Sequence, residues 1–279
     1  MATVAQIVDA LEQRYRPQWA EPWDAVGLSV GDPSATVSTV AWALDATQAT
    51  VEQALAAGAE LLVTHHPLFL DAVHSVATTS ARGRVVQQLI ANGCALFSAH
   101  TNADRANPGV SDALALALAV EPVEPLEALQ GAAVGIGLGR IGRIGPMSGQ
   151  QFIDHVAAAL GVGPAGVRAA GSIDRTVTTV AVCGGAGASA IDAAARAGVG
   201  AYVTADISHH RAIDALEQYG SAAPLLIDAG HFATERPWLT MAADLLVSDL
   251  ASQGSTVEQV VLSAITDPWS AQATRRGQE

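Results

Sequence analysis

Residues 38–67 read STVAWALDATQATVEQALAAGAELLVTHHP, and this stretch decides the fold class. An apolar strand pattern at 38–45 is followed by a helix pattern at 48–58, which ends in glycine, and by a second apolar strand pattern at 60–66. Strands that alternate with helices ended by glycine are typical of βα units. The stretch therefore predicts an α/β fold in which helices pack on a sheet.

The same alternation extends over nearly the whole chain. Further helices are predicted at about 3–15, 81–93, 111–120, 148–160, 188–198, 210–220 and 232–252. Further strands are predicted at 94–100, 176–184, 201–206, 224–230 and 257–265. Residues 121–150 interrupt the pattern with prolines and glycines, and they are interpreted as a linker with a short strand or two. The sequence thus predicts two similar α/β domains, at 1–124 and 125–279, and the strand at 257–265 is able to pack back on the first domain.

The composition excludes several classes of function. The net charge is −13, and all 14 basic residues are arginines that form no cluster, which argues against nucleic-acid binding and against an anionic membrane surface. No apolar run reaches the length of a membrane span, and the N-terminus lacks the pattern of a signal peptide. Cys94 and Cys183 lie in apolar runs, which indicates buried thiols and a reducing, cytoplasmic location.

Two adjacent histidines follow the second strand of the opening stretch. His65 and His66 come directly before Pro67. Ligands collect at the carboxyl ends of strands in open α/β sheets, so the pair is a candidate for metal binding. A polar turn after the strand is the alternative.

The segment SAHTNAD (98–104) follows the next predicted strand. It places His100 and Asp104 one βα unit later than the histidine pair, so Asp104 is able to approach that pair. The alternative is local, because Asn102 and Asp104 can form turns and aspartate can cap the next helix.

A third group lies in LLIDAGHFATERPW (225–238), again after a strand pattern. His231 and Glu235 are spaced i, i+4 at the start of a predicted helix, which puts both side chains on one face. A surface pair without a metal is the alternative.

Taken together, these groups supply three imidazoles and two carboxylates: His65, His66, Asp104, His231 and Glu235, with His100 in reserve. This mixture suits two divalent ions of the group Zn, Fe, Mn, Co and Ni rather than Ca or Mg. A carboxylate can bridge two such ions about 3.5–4 Å apart. The sequence predicts a dinuclear metal site, without fixing the identity of the metal.

Two further segments have open interpretations. The glycines of CGGAGAS (183–189) either approach a phosphate or form a tight turn for packing, and the segment lacks the residues of a P-loop. In ADISHH (205–210), Asp206, His209 and His210 are either partners of the metal ligands or substrate contacts, and the alternative is a helix start capped by Asp206 or Ser208.

In their order along the chain, these motifs resemble the Nif3-like family, described as dinuclear-metal-centre or type 2 GTP cyclohydrolase-like proteins. The matching stretches are WDAVGL, VTHHPLF, SAHTNAD with PGVSDALA, CGGAG, TADISHH and LIDAGHFATE. The resemblance implies two α/β domains with the metals between them and a homo-oligomer, a ring-shaped hexamer. It also implies the short form of the family, because residues 121–175 are too few for the extra central domain of longer members.

The resemblance implies the same five ligands, His65, His66, Asp104, His231 and Glu235. It places His100 near the metals, and it matches His210 to the histidine of a Gly-Asp-x-x-Tyr-His pattern. Here that pattern has Ala205 for glycine and His209 for tyrosine, which leaves the role of the segment open.

The leading functional hypothesis is a metal-dependent hydrolase of the GTP cyclohydrolase 1 type 2 homolog kind, acting on a nucleotide such as GTP or on a phosphoester. His100 or His210 would then move protons to and from the activated water. The alternative is a non-enzymatic protein that stores, senses or delivers metal. The sequence alone does not choose between them.

Overall fold

The structure is a computed structural model that describes residues 2–273. Its helices, in chain order, are α1 (Val4–Arg14), α2 (Gln48–Ala56), α3 (Ala81–Ala91), α4 (Thr101–Arg105), α5 (Val110–Ala117), α6 (Gly149–Leu160), α7 (Ile191–Arg196), α8 (His209–Tyr219), α9 (His231–Glu235) and α10 (Pro237–Ser252). Among residues 2–273, no helix combines the length and apolarity that a bilayer crossing requires.

Most of the strands are short, and the two longest are those at Arg140–Ser148 and Thr176–Val182. In chain order they are β1 (Ala2–Thr3), β2 (Gly27–Val30), β3 (Thr36–Val37), β4 (Thr39–Ala43), β5 (Leu61–Thr64), β6 (Ala95–Ser98), β7 (Glu121–Glu124), β8 (Glu127–Ala128), β9 (Gly137–Leu138), β10 (Arg140–Ser148), β11 (Arg168–Ala170), β12 (Thr176–Val182), β13 (Ala201–Thr204), β14 (Leu225–Asp228) and β15 (Glu258–Val261). The predicted α/β class is confirmed.

The chain divides into two compact units, each built from two separate stretches. The first unit comprises Met1–Gly109 and Trp238–Thr266, and the second comprises Val110–Pro237 and Asp267–Glu279. This division differs from the predicted boundary between residues 124 and 125. One reason is that α5 buries its apolar face in the core of the second unit. Another is that Trp238, at the start of α10, packs among aromatic rings of the first unit.

The first unit contains a five-stranded sheet with the order β15-β4-β5-β6-β2. The strands from β15 to β6 are parallel, whereas β2 is antiparallel to β6. The strand predicted at 257–265 is thus present as β15 and pairs with β4 in this sheet. Thr64, the last residue of β5, lies opposite Ser98, the last residue of β6, so the segments that follow them start at the same level.

The second unit contains a six-stranded sheet with the order β11-β14-β13-β12-β10-β7. Its centre, β12-β13-β14, is parallel, as β4-β5-β6 is in the first unit. The two units therefore share the parallel three-stranded motif that the sequence predicted for both halves.

The interpretation of residues 121–150 as mainly a linker is wrong. This stretch holds four strands, and the longest, β10, pairs with both β12 and β7. An apolar pattern was missing because β10 begins with a buried arginine. The Nε and Nη2 atoms of Arg140 each donate to an oxygen of Asp112 at 2.7 Å, which balances the buried charge.

The helix predicted at 232–252 is two helices, α9 and α10. Pro237 begins α10, where the missing N–H of proline costs nothing because the first turn has no intrahelical acceptor. The break leaves α9 as a single short helix directly after β14.

Candidate metal centre

The ends of β5 and β6 bring three histidines of the first unit together. One ring nitrogen from each of His65, His66 and His100 lies within 4.8 Å of the others. The ring centroid of His65 is 4.9 Å from that of His66 and 5.2 Å from that of His100. With Asp104, these residues are called the His65 cluster below.

His65 has a defined tautomer because its neighbour is a backbone carbonyl. The residue is completely buried, and its Nδ1 is 2.8 Å from the oxygen of Ala99, which only accepts hydrogen bonds. Nδ1 therefore carries the proton, and in the neutral ring Nε2 carries the lone pair. That Nε2 faces Asp104 Oδ1 at 3.6 Å.

His66 and His100 are held in the same way by carboxylates. His66 Nδ1 is 2.8 Å from Asp45 Oδ1, and His100 Nδ1 is 2.9 Å from Asp24 Oδ1. An ionised carboxylate only accepts, so both rings donate through Nδ1 and present the lone pair on Nε2. Metal-binding histidines typically hold their second ring nitrogen in this manner.

Asp24 is well suited to orient His100. Burial raises the pKa of its carboxyl, but hydrogen bonds from His100 and Thr101 outweigh burial and hold that pKa well below its usual range. Its Oδ2 accepts from the backbone N–H of Thr101 at 3.0 Å and from the Thr101 hydroxyl. The carboxylate is therefore ionised and fixed by both oxygens.

The acceptors Asp24 and Asp45 were not among the site residues predicted from the sequence. Asp45 follows β4, so it lies at a third strand end of the same sheet edge, and this position was a usable signal. Its Oδ2 also accepts from the Thr266 hydroxyl. Asp24 belongs to the quoted WDAVGL stretch, but its contact with His100 spans 76 residues and no local pattern predicts it.

Asp104 reaches the cluster through α4, a helix that the sequence did not predict. The local-turn alternative applies to its neighbour Asn102, whose Nδ2 donates to Tyr15 O at 2.7 Å and whose Oδ1 accepts from His100 N at 2.9 Å. Asn102 thus fixes the backbone of the segment, while Asp104 faces His65.

The second unit places His231 and Glu235 on α9, one turn apart. His231 Nε2 and Glu235 Oε1 are 3.0 Å apart, and His231 Nδ1 is 2.7 Å from Asp206 Oδ2. Glu235 is buried, whereas the His231 side chain is 36% exposed. These two residues are called the His231 pair, and they repeat the arrangement of His65 with Asp104.

Asp206 occupies an unusual backbone conformation. Its φ is +55°, in the left-handed region that residues other than glycine rarely adopt. Within the ADISHH segment, Asp206 is a partner of a site histidine, His231. Ser208 occupies the N-cap position of α8, although no side-chain capping bond accompanies it. His209 and His210 begin α8, are exposed, and contact each other with ring centroids 5.2 Å apart.

The glycine segment 183–189 forms a tight turn packed against the His231 pair. The N–H of Gly185 donates to Thr234 Oγ1 at 3.0 Å, and that of Gly187 donates to Thr204 Oγ1 at 2.9 Å. A Cβ on Gly185 would stand 2.2 Å from Glu235 Oε1. The packing interpretation fits these contacts, because the two N–H groups are engaged within the protein rather than directed to a phosphate.

The donor chemistry of both groups fits divalent metals. In each, a histidine whose Nδ1 is held by an acceptor faces a carboxylate oxygen with its Nε2, and two ligands about 2.1 Å from one ion stand roughly 3–3.5 Å apart. The cysteines do not compete for this role in the described part of the chain. Both are buried and form no disulfide, and burial raises the pKa of the Cys94 thiol to about 12.

Comparison with known proteins identifies relatives over nearly the full length. The family model Duf34/NIF3 (NGG1p interacting factor 3) matches residues 2–268. A Streptomyces coelicolor protein named GTP cyclohydrolase 1 type 2 homolog is 42% identical over 97% of this chain and 95% of its own length. A Mycobacterium tuberculosis protein of the same name is 34% identical over 96% of each chain.

Among solved structures, a hypothetical protein of Staphylococcus aureus is similar with a TM-score of 0.88 at 24% identity, covering 96% of this chain and 98% of that one. A Bacillus cereus protein related to NIF3 gives a TM-score of 0.86 at 24% identity with the same coverage. At this identity the two structures support the fold alone. The family match over residues 2–268 carries the assignment, and the chain is a member of the Duf34/NIF3 family.

Proposed function

We propose that this protein is a dinuclear-metal-dependent hydrolase that acts on a nucleotide or a phosphoester. One observation carries the proposal, and it occurs twice. His231 Nε2 faces Glu235 Oε1 at 3.0 Å, and His65 Nε2 faces Asp104 Oδ1 at 3.6 Å. In both histidines Nδ1 is the donor to another group, so a neutral ring points a lone pair at a carboxylate oxygen. Such a pair is stable only with a cation between its atoms, either a proton or a metal ion.

The proposed ligands of the two ions are the five residues expected from the sequence: His65, His66, Asp104, His231 and Glu235. Imidazole and carboxylate donors select Zn, Fe, Mn, Co or Ni, and cellular supply decides among them. The proposal joins the His65 cluster and the His231 pair in one centre, and it rests on their common donor chemistry and on the family. When bound, two ions would act as Lewis acids that polarise the substrate and make water a nucleophile near neutral pH.

His100 is the proposed proton carrier. Its Nδ1–H is held by the ionised Asp24, so its Nε2 accepts a proton from the attacking water while Asp24 stabilises the resulting imidazolium. His100 becomes neutral again when it donates this proton to the leaving group. His210, exposed at the start of α8, is retained as a second proposed shuttle.

The proposed substrate class follows the relatives and the metal chemistry. The Streptomyces and Mycobacterium relatives carry the name GTP cyclohydrolase 1 type 2 homolog, which supports a nucleotide. Phosphoester hydrolysis uses the same pair of ions and the same proton carrier. The test is turnover of GTP, other nucleotides and a phosphoester panel by protein loaded with each of the five metals.

The expected result is turnover in the wild type that disappears in His65→Ala and Glu235→Gln. Folded variants that keep full turnover would contradict the proposal. Two bound ions without turnover of any compound would instead favour the alternative function, a metal-storage, metal-sensing or metal-delivery protein.

We also propose that the protein acts as a homohexamer in the cytoplasm, an expectation that rests on the family alone. The test of assembly is light scattering coupled to gel filtration. The expected mass is six times the 28.4 kDa of one chain, and a monomer would refute it.

A further inference from the structure

A cavity of about 360 Å³ opens in the first unit beside His66. His66 and its partner Asp45 contribute to one side of the cavity. The remaining lining comes from the start of α2, the start of α3 and the residues just after His66. Its volume lies at the small end of the range that small-molecule sites occupy, which fits a compact ligand.

The lining holds one carboxylate, Asp45, and one guanidinium, Arg82, and the guanidinium is the group that is directed to a ligand. Both oxygens of Asp45 already accept hydrogen bonds, from His66 and from Thr266, so this carboxylate is not directed to a ligand. Arg82 is the one arginine of the lining, it is exposed, and no ion pair found among residues 2–273 includes it. Its guanidinium offers five N–H donors in the geometry that binds phosphate oxygens.

Two helices begin at the same cavity and add to its positive potential. Thr47 and Gln48 stand at the start of α2, and Ala81 and Arg82 stand at the start of α3. The first N–H groups of a helix have no intrahelical acceptor, and the helix dipole is positive at this end. The positive potential of the two helix starts strengthens the binding of an anion by Arg82. The helix starts alone would not define a site.

The rest of the lining is apolar. Leu68 and Val85 are buried, and Ala46, Pro67 and Ala81 complete this part of the lining. A ligand that fills the cavity therefore has an anionic group and a small apolar body. The anionic group contacts Arg82, and the apolar body contacts the apolar part of the lining.

We infer that this cavity binds the substrate of the metal centre, and that the substrate class is a compact phosphomonoester with an apolar or aromatic group. Arg82 binds the phosphate, the apolar residues bind the body, and His66 links the cavity to the metal ligands. The inference rests on the proposed function because it assigns a substrate to that same site. It also makes Arg82 a specificity residue that the sequence motifs did not include.

The test is calorimetric titration of the purified protein with phenyl phosphate, in the zinc-loaded and in the chelated form. Arg82→Ala should weaken binding about tenfold in both forms, because one charged hydrogen-bonding partner is lost. Arg84→Ala is the matched control. Arg84 lies on the same helix, donates to Thr78 O at 3.2 Å, and does not line the cavity, so its removal should change the affinity less than about twofold.

A second pair of variants tests the cavity without changing charge. Ala81→Trp fills its mouth and should abolish binding of phenyl phosphate, whereas Ala91→Trp, at the exposed far end of α3, should not. Phenol, which lacks the phosphate, should bind at least about tenfold more weakly than phenyl phosphate.

The outcomes separate this inference from the proposed function. No binding of phenyl phosphate by the wild type, or unchanged binding by Arg82→Ala or Ala81→Trp, overturns the cavity assignment even if the protein hydrolyses other compounds. Arg82-dependent binding in a protein that turns over nothing supports the cavity and refutes the hydrolase.

Discussion

The His65 cluster and the His231 pair use the same chemistry in opposite environments. His65 is completely buried and donates to a backbone carbonyl, whereas the His231 side chain is 36% exposed and donates to the exposed Asp206. In both, the Nε2 atom faces a carboxylate oxygen. The difference indicates that His65 is part of the first unit's core, while His231 depends on a short helix and on the left-handed backbone of Asp206. Changes to His65 should affect stability and metal binding together, whereas changes to the exposed His231 or Asp206 should affect mainly metal binding.

The largest effect is expected from His65→Ala. The variant loses a metal ligand, leaves the buried Ala99 carbonyl without its donor and creates a cavity, so unfolding free energy should fall by about 2–3 kcal/mol. Metal content by mass spectrometry should fall below one ion per chain, and urea unfolding of chelated protein reports the stability.

His155→Ala is the control for His65→Ala. His155 Nε2 also lies 2.9 Å from a backbone carbonyl, that of Leu118, but it belongs to neither group of ligands. This variant should lose stability and keep its metal. A His65→Ala protein that retains its full metal content would remove the His65 cluster from the site.

Gly185→Ala is expected to damage the His231 pair. At φ +65° an added Cβ is strained, and it would stand 2.2 Å from Glu235 Oε1, so the carboxylate must move. Gly198→Ala carries the same strain at φ +68° with nothing within 4 Å of the added Cβ. The backbone strain should cost each variant about 1 kcal/mol of stability, and in Gly185→Ala the displacement of the buried Glu235 carboxylate adds to that cost.

Only Gly185→Ala should also lose metal affinity, measured by competition with a chromophoric chelator. Equal metal affinity in the two glycine variants would show that the position of Glu235 does not matter for binding.

Asp24 in the first unit and Asp206 in the second each hold a histidine, and they provide the most direct comparison of the environments. Asp206→Asn should weaken metal binding about 10–100-fold, because the ring of the ligand His231 is no longer fixed. Asp24→Asn frees the ring of the proton carrier His100 instead, so it should lower turnover and leave the metal content unchanged. Only Asp24→Asn should also lower the unfolding free energy of the chelated protein, since the Asp24 side chain is buried and the Asp206 side chain is 56% exposed. Comparable stability losses in both variants would contradict the contrast between the two groups.

The smallest expected effect is the pH dependence of that Asp24 contribution. Because the folded-state pKa of Asp24 lies below its ordinary value of 3.8, the ionised carboxylate stabilises the folded protein at every pH above that value. The stability difference between wild type and Asp24→Asn should therefore be constant above about pH 5 and shrink as the pH falls below 3.8. A difference that grows on acidification would reverse the assigned sign.

The sequence predicted the strand ends and the residues on them, because parallel βα units align the ends of successive strands. Thr64 opposite Ser98 is the register that brings His65 and His100 together. Asp24 was not predicted as an acceptor, since its contact with His100 bridges 76 residues. Asp206 was a predicted candidate partner of the site, but its contact with His231, 25 residues away, was not predicted. Local patterns carry no information about such pairs.

The position of α5 in the second unit and the strand β10 have related causes that the sequence pattern does not show. The helix α5 has an apolar face that suits either domain, and only the packing of Leu114 and Leu118 with Phe152 assigns it to the second unit. The strand β10 was not predicted because it begins with the charged residue Arg140. Its charge is neutralised by Asp112, which lies 28 residues away and is not part of the local pattern. Periodicity detects apolar faces and misses buried ion pairs.

X-ray absorption spectroscopy of the zinc-loaded protein, with metal content measured on the same sample, tests the dinuclear centre most directly. We predict two ions per chain, nitrogen and oxygen scatterers at about 2.0–2.2 Å, no sulfur, and a metal–metal vector at about 3.5–4 Å. A single ion per chain, or two ions without a metal–metal vector, would show that the His65 cluster and the His231 pair do not form one centre.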